Sequence, residues 1–234
     1  GTASTVVLAG TNHAITDGNG GTLTLNNLTL NCANGLTLSD NLTVDNTLTF
    51  TQGLITTGTN KMIVSNDASG AIVGYSNTSF VNGNLRRAIN ATGAINYDFP
   101  VGMGTATTDY YLFGINTNNL DVDASSPAQS NSVDVSVAAI AEGGNNNDLQ
   151  FETAGLTFSE ATSAVADMSL TNVASEAVWT MVGTRNSGDY GVQLYVENIT
   201  EINVAMDNAF TPVRRSMAST DYADFSFGSS TGAT

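Results

Sequence analysis

A chain of 234 residues can bury one large β domain or two smaller ones, but only 12% of these residues are charged, and acidic side chains outnumber basic ones by 21 to 6. Six basic residues cannot build the clustered cationic face that a phosphate backbone or an anionic membrane surface requires, so nucleic acid and membrane partners are excluded. With no run of 18 apolar residues, no membrane-inserted helix is expected.

The net charge of −15 reads as solubility and mutual repulsion outside the cell, with calcium binding as the alternative. Uncharged polar surface comes instead from 27 Asn, 23 Gly and many Thr, a composition suited to an extracellular or cell-surface setting. Cys32 is alone, so no intrachain disulfide forms, and it reads as a small buried apolar residue. The chain opens without an initiator Met or a basic leader followed by an apolar stretch, and it reads as a mature, processed product or a trimmed piece of one.

Residues 1–19 hold a strand-like run, Ser4-Thr5-Val6-Val7-Leu8-Ala9, joined to the region beginning at residue 20 by a Gly- and Asn-containing link. Two readings stand: the run caps its own molecule, or Val6, Val7 and Leu8 form a self-assembly strand that adds to the exposed edge of a neighbouring subunit. His13 is the only His and has no Gly-x-Ser-x-Gly partner, so it is expected to be an ordinary polar residue.

From residue 20 to about 90 one short theme recurs: an apolar, Thr or polar, apolar triplet followed by a turn with Asn, Asp or Gly. The triplets begin at Leu23, Leu28, Leu36, Leu42, Leu48, Leu54, Met62 and Ala71, too close together for ordinary hairpins. Three successive steps sum to 19, 20, 18 and 20 residues, the signature of a three-sided β-solenoid. Leu, Val, Ile and Phe at the outer triplet positions face inward and the central Thr faces solvent, while Asn and Gly occupy the corners. Three to four turns spaced about 4.8 Å apart rise only about 15 to 20 Å, and both ends of so short a stack must be capped.

A secreted solenoid raises the question of polysaccharide cleavage, which needs two carboxyl groups about 5 Å or about 6.5 to 9.5 Å apart. Asp17, Asp40, Asp45 and Asp67 come no closer to the turn spacing than 22 and 23 residues, and Asp40 and Asp45 read as corner residues. Lys61, Arg86 and Arg87 are the only basic candidates for a lyase in this half. No catalytic residue and no cofactor is assigned, and the chain is not expected to be an enzyme.

Residues 91–234 show longer strand candidates, near Ile95–Val101, Tyr110–Ile115, Val133–Ala139, Leu149–Phe158, Ala177–Val182, Tyr190–Val196, Ile202–Ala205 and Asp224–Phe227. Eight strands with turns between them predict a β-sandwich of jelly-roll type, with Tyr97, Phe99, Tyr111, Phe113, Trp179 and Tyr195 in its core or on its sheet faces. One short helix could fit within Ser159–Met168. The run Asn118-Asn119-Leu120-Asp121-Val122-Asp123 is the best stretch for Ca2+, although it lacks the Gly and distal Glu of an EF-hand loop. Arg86-Arg87 and Arg214-Arg215 are expected to form structural salt bridges at a domain junction, with a ligand or an acidic neighbouring subunit as the alternative.

Several of these segments together resemble a pattern in large secreted surface proteins of Bacteroidota. The resemblance rests on Ser79-Phe80-Val81-Asn82-Gly83-Asn84-Leu85-Arg86-Arg87, then Phe99-Pro100-Val101-Gly102, then Trp179, Val213-Arg214-Arg215 and Asp224-Phe225-Ser226-Phe227-Gly228-Ser229. It implies export by type IX secretion, with a C-terminal sorting domain that the closing Ser230–Thr234 does not show. It also implies surface location and adhesive or structural use, and it carries over no catalytic residue. The whole chain therefore reads as an all-β extracellular structural or adhesive protein, a subunit of a filament or surface layer. Its expected partners are copies of itself or other surface proteins, with carbohydrate binding to glycans as the alternative.

Overall fold

A strand that alternates Leu with Thr buries one side only, so short strands of this kind are stable when they wind around a shared apolar axis and stack on one another. The computed structural model describes residues 4–11, 13–16, 23–89, 94–117, 132–138, 157–158, 168–169, 178–183 and 191–195. Among these residues the fold is all-β, with two short 3-10 turns at Ser69–Ala71 and Thr107–Asp109 and no α-helix.

In chain order the strands are β1 (Thr5–Gly10), β2 (His13–Ile15), β3 (Leu23–Cys32), β4 (Leu36–Leu38), β5 (Leu42–Gln52), β6 (Ile55–Val64), β7 (Ile72–Val73) and β8 (Val81–Ala88). They continue as β9 (Asn96–Phe99), β10 (Val101–Gly102), β11 (Phe113–Asn116), β12 (Ser132–Ala138), β13 (Thr157–Phe158), β14 (Met168–Ser169), β15 (Val178–Gly183) and β16 (Gly191–Leu194).

The first eight form the expected three-sided coil, all in parallel ladders. On one face β1, the second half of β3, the second half of β5 and β7 stack, giving the column Val6–Leu28–Leu48–Ile72. A second face stacks β2, β4, the start of β6, the start of β8 and β10, giving His13–Leu36–Ile55–Val81–Val101. The third stacks the first half of β3, the first half of β5, the end of β6 and the end of β8, giving Leu23–Leu42–Met62–Leu85. Reading the faces in chain order gives four turns.

Inward residues of the middle turns are fully buried, including Leu28, Leu30, Leu36, Leu42, Val44, Leu48, Ile55, Met62 and Val64. Thr24 and Thr37 between them are exposed and Thr29, Thr43 and Thr49 half-buried, as the alternation predicts.

Two expected triplets are displaced by one residue. Leu36 pairs with Ile55 rather than Leu54, and Leu48 pairs with Ile72 rather than Ala71. The corner before Ile55 uses one residue more than the pattern suggests, because Gly53 turns beneath the Cys32 carbonyl at φ 95°. Thr57 then takes the inward position and is buried. The spacing is also less regular than the sequence implies: partners on adjacent turns lie 22 or 23 residues apart at the first step, 19 to 21 in the middle, and 23 to 26 where β7 and β8 stack on β5 and β6. The added length at the last step falls in the loop with the 3-10 turn at Ser69–Ala71 and in the tight turn closed by Ser76 and Ser79.

The corners are held by Asn side chains stacked one turn apart. Asn66 Nδ2 donates to Asn46 Oδ1 at 3.0 Å, Asn46 Nδ2 to Asn27 Oδ1 at 2.8 Å, and Asn27 Nδ2 to the Ser4 carbonyl at 3.2 Å. At a second corner Asn41 accepts from the Lys61 backbone N–H, and Asn60 donates to the Leu38 carbonyl. Each amide serves as both donor and acceptor, so a ladder of identical side chains satisfies itself without charge.

The chain divides into two compact units, Gly1–Ala138 with Trp179–Asn198, which holds the coil, and Ala139–Val178 with Ile199–Thr234. In the first unit β12 pairs antiparallel with β8, β15 follows β12, and β16, β11 and β9 form a separate three-stranded antiparallel sheet. Several of the strands expected after residue 90 thus extend the sheet of the coil. In the second unit β13 and β14 pair antiparallel. Residues 202–205 and 224–227 lie outside the described residues, as do 159–167, which hold nearly all of the candidate helix.

Gly53 supplies a direct test of the corners. A Cβ there would sit 1.9 Å from the Cys32 carbonyl oxygen, whereas one at Gly58, also at positive φ, meets nothing within 4 Å. Gly58→Ala therefore costs only the left-handed backbone penalty, about 1 to 2 kcal/mol, and Gly53→Ala costs clearly more by urea denaturation. Equal costs would contradict this account of the corner.

Candidate assembly edge and the closed end of the coil

In a parallel ladder each residue directs its backbone N–H and C=O to one side, and successive residues alternate. The Ser4 carbonyl accepts from Asn27 N–H and the Gly10 carbonyl from Ala33 N–H, so Ser4, Val6, Leu8 and Gly10 face β3. Thr5, Val7 and Ala9 consequently direct their N–H and C=O groups the other way, along the coil axis. No described strand pairs with that edge of β1. The same holds for the outer edge of β2 and for the first half of β3, whose described ladder partners are β4 and β5 alone.

The inward side chains mark the same boundary. Val6, Leu8, His13, Ile15, Leu23 and Leu25 are half-buried, while their partners one turn on, Leu28, Leu30, Leu36, Leu38, Leu42 and Val44, are buried. Val7 points outward and is 58% exposed. Of the three open positions on β1, Ala9 has its carbonyl engaged by His13 Nε2 at 2.9 Å. His13, read from sequence as an ordinary polar residue, thus covers one edge carbonyl and occupies an inward position of the first turn. Val6, Val7 and Leu8 are docked on β3 of their own chain, and their free edge faces away from it.

The opposite end is covered from within the chain on two of its three faces, by β10 on the start of β8 and β12 on its end, while β7 has no described strand partner beyond β5. β12 lies antiparallel on β8, pairing Val135 with Leu85, Asp134 with Arg86 and Val133 with Arg87. Asp134 receives Arg86 through Nε and, at 2.8 Å, through a terminal nitrogen, and Lys61 Nζ lies 2.5 Å from the same carboxylate. Burial pushes the Asp134 carboxyl upward, but hydrogen bonds and charge from Arg86 and Lys61 outweigh it and hold the group below its ordinary value. Arg86 thereby forms the salt bridge expected of it.

Arg87 does not. It takes the inward position held by Leu25, Val44 and Val64 on earlier turns, and it is fully buried. Its guanidinium lies 4.9 Å from the Tyr97 ring centroid and 5.7 Å from that of Phe99, and it donates to the carbonyls of Asp98, Ala68 and Ser69 at 2.7, 3.0 and 3.0 Å. Burial lowers its pKa to about 10, against smaller upward pulls from Tyr97, Asp98 and Tyr75. A planar multi-donor group in the inward column of the last turn thus ties that turn to the loop carrying the 3-10 turn and to β9, where another aliphatic residue would only extend the apolar column. Arg214 and Arg215 lie outside the described residues.

The remaining candidate groups stay apart. Asp40 and Asp45 sit on two different corners. Cys32 is buried and donates to the Gly35 carbonyl. Among the described residues no three His, Cys, Asp or Glu side chains gather closely enough to hold a metal ion, and residues 118–123 lie outside them. No described helix is long and apolar enough to cross a membrane. No protein-family model, curated protein or solved structure matches the chain.

The closed end makes a pH-dependent prediction. A carboxylate whose folded pKa is depressed contributes stability above its unfolded value, about 3.9, and loses it as pH falls through the folded value. The stability difference between the parent chain and Asp134→Asn is therefore constant from about pH 5 to 8 and closes below about pH 4 in denaturant titrations. A difference that persists unchanged to pH 2 would contradict the ion-paired cap.

Proposed function

We propose that this protein is an extracellular structural or adhesive subunit that assembles by receiving a β-strand from another copy along the open edge of its first turn. The observation that carries the reading is the asymmetry of the coil. At one end β10, β12 and Arg87 cover two of the three faces, while at the other Thr5 and Val7 present backbone groups without a described partner above half-buried Val6 and Leu8. An edge with apolar inward residues is a template for strand addition, and proteins that do not use such edges block them with Lys, Pro or bulges. β1 carries none of these.

A molecule with one open and one closed end meets its neighbours head to tail, which builds filaments rather than closed rings unless the rotation closes. Plain stacking of coil on coil is disfavoured because β12 covers the last turn on the third face, so the donor is an extended strand. The low charge, the Asn- and Thr-rich surface and the resemblance to Bacteroidota surface proteins support an extracellular site of action. We further read residues 91–234 as containing a β-sandwich, supported by the antiparallel β16–β11–β9 sheet.

Val7→Pro tests the reading, because Val7 N–H points away from β3 and its loss breaks no ladder bond within the chain. The parent is expected to form concentration-dependent oligomers in sedimentation velocity and elongated particles in negative stain. Val7→Pro is expected to keep the thermal midpoint within a few degrees and to reduce assembly at least tenfold. A parent chain that stays monomeric at all concentrations, or a variant that assembles equally well, would sink the proposal.

A further inference from the structure

The outward face of the sheet β16–β11–β9 carries a group of side chains that neither the coil nor the assembly edge uses. Alternation along β9 buries Tyr97 and Phe99 and turns Asp98 outward. In β11 it buries Phe113 and Ile115 and leaves Gly114 on the outer side, and in the last strand it turns Gln193 outward, with Tyr195 on the same side just beyond. Asp98, Gly114 and Gln193 form one row across the three strands. A Cβ at Gly114 would sit 3.2 Å from both Cβ and Oε1 of Gln193, so the missing side chain is what lets the Gln193 amide lie across β11.

One phenol is hydrogen-bonded to the Asp98 carboxylate, and a second, Tyr195, is close enough to feel its charge. Tyr75 donates its hydroxyl to Asp98 Oδ2. Burial first, then this hydrogen bond and the Asp98 charge, raise the Tyr75 pKa well above its ordinary value, and Tyr195 adds to the rise. Tyr195 is itself raised by burial and by Asp98, yet its side chain is 43% exposed. Beneath them, Arg87 donates to the Asp98 backbone carbonyl and fixes the strand from the buried side. The carboxylate is therefore positioned in advance, with an aromatic ring open to solvent beside it and a primary amide in the same row two strands away.

We propose that this face binds a neutral polysaccharide. A carboxylate and an amide are planar groups that engage adjacent sugar hydroxyls in pairs, and the apolar C–H face of a pyranose ring packs on an exposed tyrosine. The charge distribution sets the class of sugar. Lys61 and Arg86 are paired with Asp134 and Arg87 is buried, so among the described residues no exposed cation near Asp98 offers an acidic polysaccharide a counter-charge. Glycan binding here is independent of the open edge of β1, because the face lies on different strands and its test reads retention on glycan rather than assembly.

Affinity electrophoresis of the full chain in gels containing hydroxyethyl cellulose, laminarin, galactomannan or alginate tests it. Retardation by at least one of the three neutral polymers and none by alginate is expected. Tyr195→Ala and, independently, Gln193→Ala should each weaken that retardation at least tenfold with an unchanged thermal midpoint. Because Gln193 is exposed, its variant preserves the test if Tyr195→Ala fails to fold. No retardation by any neutral polymer, equal retardation by both variants, or comparable retardation by alginate would overturn the proposal. A change of oligomeric state in Tyr195→Ala with retardation intact would mark the face as a protein contact and overturn it as well.

Discussion

In a parallel β-coil every turn depends on the turns above and below it, for backbone hydrogen bonds and for the burial of its inward side chains alike. The dependence has no natural end: a turn that satisfies its neighbour exposes its own far edge. In this chain the middle turns meet the condition fully, with Leu28, Leu42, Leu48 and Met62 buried in continuous columns and Asn27, Asn46 and Asn66 passing hydrogen bonds along a corner. Everything distinctive about the molecule happens where the columns stop.

The two ends are treated by different chemistry. At the covered end an arginine replaces an aliphatic residue in the inward column and binds three carbonyls of the loop at 68–69 and of β9. An antiparallel strand, β12, then covers the ladder and is held by Asp134 between Lys61 and Arg86. At the open end, among the described residues, only His13 intervenes, on one carbonyl of β1. A buried cation is costly unless it is partnered, which is why Arg87 sits where three carbonyls and two aromatic rings reach its guanidinium and not in the middle of the stack.

The coil was legible because its signal is local. Apolar residues two apart, with Asn or Gly between the pairs, place Leu28 and Leu30, Leu42 and Val44, or Leu48 and Phe50 on the inner side from a few residues of sequence. The same periodicity misplaces Leu54 and Ala71, where a glycine corner and a 3-10 turn consume a residue that the pattern does not reveal. It also gives Arg87 a carboxylate partner, because a charged doublet in sequence does not show that one member faces inward. Longer-range pairings are beyond it: Asp134 meets Arg86 across 48 residues, and Tyr195 joins Tyr75 and Asp98 from the far side of the chain. Such groups come together only through topology, and no period in the sequence encodes them.

The most direct measurement is residue-resolved amide hydrogen exchange along β1 at low and high protein concentration. In dilute solution Val6 and Leu8, whose N–H groups face β3, should be protected, while Thr5 and Val7 exchange quickly; at assembling concentrations Thr5 and Val7 should become protected too. Protection of Val7 in the dilute monomer, or exchange at Thr5 and Val7 that stays fast at every concentration, would contradict an open first turn completed by another copy.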